Sequence, residues 1–242
     1  MTNSYNLSRS HKIVFFHGLN NNQEAFGPLI SHFKNLGYET ELVVLPCHGD
    51  NRREASNAKE ALTLFDQSMK KLKDTQYYAI AFSQGALYLQ LWLEKNQEHK
   101  PARQVLLAPA LYIRRQKLIE KMIRILPSFF VIKSLSPKQF RRYEIMSAWE
   151  YAILVHSMLI WQKVSGAFRI KTMVMIDPRD ELVDAQTLKQ ELEKKNQKFS
   201  VHLYDRDYVK GMGAHHVMFH PDYFNERDWK SFTHRIETFF ES

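Results

Sequence analysis

The stretch AIAFSQGAL, residues 79–87, decides how the rest of the chain is read. With Tyr77 and Tyr78 before it, Ala79–Phe82 completes an apolar run suited to a strand buried on both faces of a parallel sheet. Ser83 follows, with Ala81 and Gly85 two positions away on either side. A sharp strand-to-helix turn brings those positions against neighbouring backbone, so small side chains are needed there. Such a turn lifts the serine hydroxyl out of the sheet and into a cleft. Leu87, Leu89, Leu91, Trp92 and Leu93 then make a helix apolar enough to be buried. The usual pattern is G-x-S-x-G, and alanine stands here for the first glycine. The same residues also suit a serine that only caps a helix after a core strand. Partners elsewhere in the chain separate the two readings.

Three further segments supply such partners. IVFFHGLN, residues 13–20, is an apolar strand ending in His17-Gly18. A loop after an early strand and the residue after the nucleophile each offer a backbone N–H to a developing oxyanion; by position these are Leu19 and Gln84. IKTMVMIDPRDELVD, residues 170–184, is a late strand followed by a loop with three acids. Asp180 is the favoured carboxylate for orienting a histidine, Asp177 braces the turn, and Asp184 caps the helix beginning near Ala185. GMGAHHVMFHP, residues 211–221, offers His216 as the favoured base, His215 as the alternative and His220 as a weaker third. The chain order Ser, Asp, His differs from that of both well-known serine protease types.

Taken together, these segments resemble the α/β-hydrolase superfamily, most closely the small carboxylesterases and monoglyceride-lipase-like enzymes with a helical cap. The resemblance runs from about His11 to the C-terminus, and LPCHGDN, residues 45–51, is similar to a strand-end segment of that family. It implies Ser83 as nucleophile, Asp180 as acid, His216 as base (His215 as alternative) and Leu19 and Gln84 as oxyanion donors. It also implies that the family's first two strands are missing.

Elsewhere the chain alternates strand and helix, which implies a doubly wound, mostly parallel α/β sheet of about six strands. Strands are expected at 11–17, 40–45, 77–82, 104–107, 172–176 and 199–204. A first helix is expected from about Glu24 to Leu36, and a last one with Trp229, Phe232, Ile236 and Phe239 on one stripe. Residues 111–146 interrupt the alternation and are expected to form a helical cap, leaving 1–110 and 147–242 as the hydrolase core. Nine lysines and arginines lie in 111–143 among Ile119, Met122, Ile123, Phe129, Phe130 and other apolar residues. An apolar side packed on the core with a solvated basic side is the favoured reading of the cap; weak association with an anionic membrane surface is the alternative.

The 242 residues are enough for a core that buries about 70–75% of the unfolded chain's surface. Cys47 is the only cysteine, so no internal disulfide forms, and a buried structural thiol is its expected role. No apolar leader opens the sequence and no apolar stretch is long enough to span a bilayer, so the expected location is cytoplasmic. The net charge of +8 favours anionic neighbours, but no nucleic-acid motif, metal-ligand spacing or phosphate loop accompanies it. No cofactor or metal is expected. The expected activity is serine-dependent hydrolysis of small-molecule carboxylic esters. A thioester, a monoacylglycerol or an amide would use the same residues, and a non-catalytic hydrolase-fold binding protein is the rival from another class.

Overall fold

The computed structural model describes residues 11–49, 52–134, 136–164, 170–194, 199–206 and 214–242. Among the described residues the first elements are β1 (Lys12–Phe16), α1 (Gly27–Asn35), β2 (Thr40–Val43), α2 (Ala58–Met69), β3 (Tyr77–Phe82), α3 (Gln84–Leu93) and β4 (Arg103–Leu107). Then come α4 (Gln116–Ile125), the short strands β5 (Val131–Lys133) and β6 (Ile145–Ser147), and α5 (Ala148–Val164). It closes with β7 (Lys171–Ile176), α6 (Ala185–Lys194), β8 (Phe199–Leu203) and α7 (Glu226–Glu241).

Six strands form one parallel sheet in the order β2-β1-β3-β4-β7-β8. The chain steps from β1 out to β2, then crosses back to β3 on the other side and continues away. Connections therefore leave β1 and β3 in opposite directions, and a parallel sheet opens a crevice at the carboxyl ends of such a pair. The loop carrying Leu19 and the turn at Ser83 both start there.

Adjacent residues of β1 show how both faces are covered. Phe15 lies 6.0 Å from Phe26 and 6.4 Å from Phe33 of α1, whereas Phe16 lies 6.0 Å from Phe65 of α2. The α1 side also carries α7, where Phe240 stacks on Tyr78 at 4.5 Å and meets Phe33 at 6.2 Å. On the α2 side, α2, α3 and α5 pack on one another. Ile13–Phe16 and Ala79–Ala81 are sealed from solvent, as strands covered on both faces must be.

Some boundaries differ from the sequence expectation. The first helix opens as a separate 3-10 turn, Gln23–Phe26, capped by the Asn22 side chain. Pro28, in the first turn of α1, has no amide to donate back, so the α-helical ladder starts afresh there. In α7 the stripe closes on Phe240, 1% exposed, with Phe239 only partly buried. Among the described residues of 111–147 there are one helix, α4, and the antiparallel pair β5–β6. Single bridges tie this segment to the rest, Ile113 to Val183 and Asn21 to Arg141. The helix that follows it is α5.

Two buried histidines join the ends of β1 and β2. His17 Nε2 accepts the Leu45 amide at 3.0 Å, and His48 Nε2 accepts the Asn20 amide at 2.7 Å. Each ring is therefore protonated on Nδ1 and donates to a carbonyl, His17 to Gly18 and His48 to Pro46, both at 2.9 Å. Burial pushes His17 down to about 3 and His48 down to about 4. The unfolded chain then takes up a proton on each histidine below pH 6.5 that the folded chain refuses, so stability falls with acidification. The expected loss is about 1.4 kcal/mol per pH unit for each histidine, or about 2 kcal/mol each at pH 5. Urea unfolding at pH 7 and pH 5 measures this. His48→Gln, whose Oε1 can accept the Asn20 amide without titrating, is expected to remove about half of that slope.

Candidate active site

The backbone at Ser83 takes φ 50° and ψ −115°, a region seldom used by a residue with a side chain. Strong partners hold it: the Ser83 amide donates to Leu107 at 3.0 Å, and its carbonyl accepts from Leu87 and Ala110. Gly85 shows why a small residue is needed two positions on. A Cβ there would press into the His17 carbonyl oxygen and sit 2.7 Å from that of Phe16. Ala81 lies between Phe16 and Leu106 in the sheet and is fully buried, so the alanine methyl fits where a glycine is usual.

Side chains from three separate loops meet at the Ser83 hydroxyl. His216 Nε2 is 3.0 Å from Ser83 Oγ, and His216 Nδ1 is 2.8 Å from Asp180 Oδ2. Asp180 is fully buried, and its other oxygen accepts the amides of Leu182 and Val183 at 2.8 Å each. The Phe82 ring packs 4.8 Å from the imidazole. Nε2 can thus exchange a proton with the hydroxyl while Nδ1–H stays on the carboxylate.

His215 turns away to a different carboxylate, with Nδ1 3.1 Å from Asp177 Oδ2. Burial pushes the Asp177 carboxyl up, but the Arg179 amide, His215 and Arg206 outweigh it and hold it below its ordinary value. Asp184 caps α6 through the Thr187 amide. His220 accepts the Asp222 amide and packs 4.6 Å from Phe140, so it belongs to the local turn. Cys47 is buried, and burial pushes its thiol up to about 11, so it is protonated at neutral pH. Residues 211–213, the glycine-bearing start of the histidine loop, lie outside the described residues, as do Asp50 and Asn51.

Gln84 is the first residue of α3, so its amide has no acceptor within the helix. Leu19 shares a cavity wall with Ser83 and His216. The loop carrying Leu19 is pinned by Asn20, whose backbone is left-handed at φ 57°. The Asn20 amide goes to His48, its side chain donates to Ser134 Oγ and the Tyr143 carbonyl, and its Oδ1 accepts the Tyr143 amide. Asn20 and His48 carry this frame, and the buried Arg206 bonds the histidine loop; none of the three is marked as structural by local sequence pattern. Asn20 stands in IVFFHGLN and His48 in LPCHGDN, but Arg206 sits in YDRDY and reads there as solvated charge.

The cavity at Ser83 is about 110 Å³. Ile113, Ile119, Leu154, Val183, Ser134 and Ser136 are among the residues that line it. A larger cavity of about 1040 Å³ opens beside Thr75, Ala102 and Thr172, at the amino ends of the strands and away from Ser83. Among the described residues, no group of three or more His, Cys, Asp or Glu could hold a metal ion. The close approach at Gly85 makes a stability prediction. Gly85→Ala is expected to lower the free energy of unfolding by about 1–3 kcal/mol, and Ala81→Gly by about 0.5–1 kcal/mol, in urea titrations.

No family model matches the sequence, and no curated protein matches it. Solved structures do resemble the fold. A monoacylglycerol lipase of Paleococcus ferrophilus is 17% identical with a TM-score of 0.69, over 94% of this chain and 93% of that one. A soluble variant of monoglyceride lipase from Saccharomyces cerevisiae, in complex with a substrate analogue, is 12% identical with a TM-score of 0.71, over 96% and 86%. An esterase from Exiguobacterium antarcticum is 13% identical with a TM-score of 0.62, over 98% and 94%. At these identities the likeness is one of architecture, and the chain has the α/β-hydrolase fold.

Proposed function

We propose that this protein is a serine hydrolase that cleaves carboxylic esters through an acyl-enzyme intermediate. The observation that carries the proposal is the unbroken chain Ser83 Oγ, His216, Asp180, at 3.0 and 2.8 Å. In this reading Ser83 Oγ attacks the ester carbonyl while His216 Nε2 takes its proton, and Asp180 stabilises the imidazolium that forms. The Leu19 and Gln84 amides stabilise the oxyanion. His216 then returns the proton to the leaving alcohol, and water repeats the sequence on the acyl-enzyme to release the acid. His215 is the weaker candidate for the base, since its ring pairs with Asp177. Lipases and esterases among the structures of this fold favour an ester substrate. The small, mostly apolar cavity favours a short acyl chain, and Ser134 and Ser136 in its lining favour a polar leaving alcohol. A thioester would use the same residues, and a panel of acyl esters and thioesters ranks the two.

Residues 111–146 are read as a cap, because Ile119, Ser134 and Ser136 help line the cavity at Ser83. Its surface favours an anionic lipid bilayer as neighbour. In α4 the inner half of the apolar stripe, Ile119 and Ile123, packs on the core. The outer half does not: Met122 is 46%, Ile125 70% and Phe129, just beyond, 78% exposed. Lys117, Lys121, Arg124 and Lys133 are exposed beside them, and Glu120 is the only acid in 111–143. Apolar side chains rimmed by cations match an anionic interface. No helix among the described residues is long and apolar enough to cross a membrane.

Ser83→Ala is expected to fold normally and lose turnover by a factor on the order of 10⁴ or more. A fluorophosphonate probe should label Ser83 in the parent and nothing in the variant. His216→Ala should match that loss while His215→Ala retains most activity; substantial turnover by the serine variant rejects the mechanism. For the membrane reading, co-sedimentation with phosphatidylserine vesicles at low salt is expected, weakening in 0.5 M salt and in Phe129→Asp. Equal recovery with purely zwitterionic vesicles, or none with either, rejects it.

A further inference from the structure

The histidine loop is held by two charged side chains that the proposed chemistry does not use. Arg206 follows β8 and is entirely buried. Its Nε donates to Asp177 Oδ2 at 3.1 Å. One terminal nitrogen donates to the carbonyls of Val217 at 2.7 Å and Tyr223 at 3.3 Å, and the other to those of His215 at 2.7 Å and Ala214 at 3.2 Å. One planar guanidinium therefore fixes the carbonyls immediately before and after His216. Glu181 takes the opposite groups: Oε1 accepts the His215 amide at 3.3 Å and Oε2 the His216 amide at 3.0 Å. A cation holds the carbonyls and an anion holds the amides of the same short segment.

Both holders lead back to the acid loop. Glu181 is the residue after Asp180, and Arg206 is paired with Asp177, three residues before it. We infer that Arg206 and Glu181 are positioning residues that set His216 against both Asp180 and Ser83. This rests on the Ser83–His216–Asp180 reading above. The need for them is geometric. Ser83 follows β3 while the histidine loop follows β8, three strands across the sheet. The segment 214–217 belongs to no strand or helix, so no backbone ladder sets its position. An error of about 1 Å between nucleophile and base costs on the order of 100-fold in rate.

A guanidinium suits this task and an ammonium does not. Five donors in a rigid fork reach Asp177 and four carbonyls together, whereas three donors on a flexible stem cannot span them. The charges around His216 also give the test its signature. Asp180 contacts its ring, Glu181 its amide, and Arg206, Asp177 and His215 lie behind the loop. Removing the Glu181 charge takes away one of the anions that favour the imidazolium.

The decisive variant is Glu181→Gln, which keeps the side chain's shape and one acceptor for two amides. Turnover of a p-nitrophenyl acyl ester and the rate of fluorophosphonate labelling are expected to fall about 10-fold or more, with KM within about 2-fold and an unchanged melting temperature. The acidic limb of the pH–kcat/KM profile should move to lower pH. Arg206→Lys is expected to lose more, and whether or not it folds, Glu181→Gln decides the matter. Rates within 2-fold of the parent, or a loss that tracks unfolding with no movement of the acidic limb, overturn the inference. Labelling of the parent at Ser83 keeps the two ideas apart. If the parent labels and Glu181→Gln labels equally fast, only the positioning roles fail. A parent that does not label removes the reading beneath them as well.

Discussion

The turn at Ser83 is the constraint around which the fold is arranged. A residue with a side chain at φ 50° and ψ −115° stays there only if its surroundings allow nothing else. The surroundings here are a sealed parallel sheet on one side and the first turn of a fully buried helix on the other. Gly85 lets that helix start against the end of β1, with the Phe16 and His17 carbonyls where a side chain would otherwise stand. The same closeness brings the loop after β1 beside the hydroxyl. Strain, close packing and the placing of the Leu19 loop thus have one origin.

The loops around the turn depend on buried polar groups. His17, His48, Asn20, Arg206 and Asp177 each have named partners, as most buried polar groups do, whereas Gln84 Oε1 is buried without one. His17 and His48 clip the ends of β1 and β2, and Asn20 joins that clip to Ser134 and Tyr143. Arg206 and Asp177 form a buried ion pair beneath the histidine loop. Such pairs add little net stability but are costly to break, and their directional bonds define one arrangement of the loops they join. The adjacent histidines illustrate this. Two imidazoles one residue apart select two carboxylates three residues apart, and only His216 reaches the hydroxyl.

Most of the architecture is legible in the sequence. Periodicity exposes strands and helices because burial imposes it on every residue of an element. The expected strands appear, and their ends differ by a residue or two. The errors have local causes: Pro28 delays α1, and the final apolar stripe runs to Phe240 instead of Phe239. The segment 111–146 was harder to read. Its apolar residues do not all face inward, so their spacing did not disclose the β5–β6 pair or the exposed outer side of α4.

The one-dimensional chain determined the sheet, the turn residue and the pool of candidate acids and bases, because each is marked by composition within a few neighbouring positions. Which histidine meets which carboxylate was decided only in three dimensions. That choice depends on Arg206 and Glu181 holding a loop three strands from Ser83. A buried cation bonded to distant carbonyls leaves no local pattern that spacing can reveal.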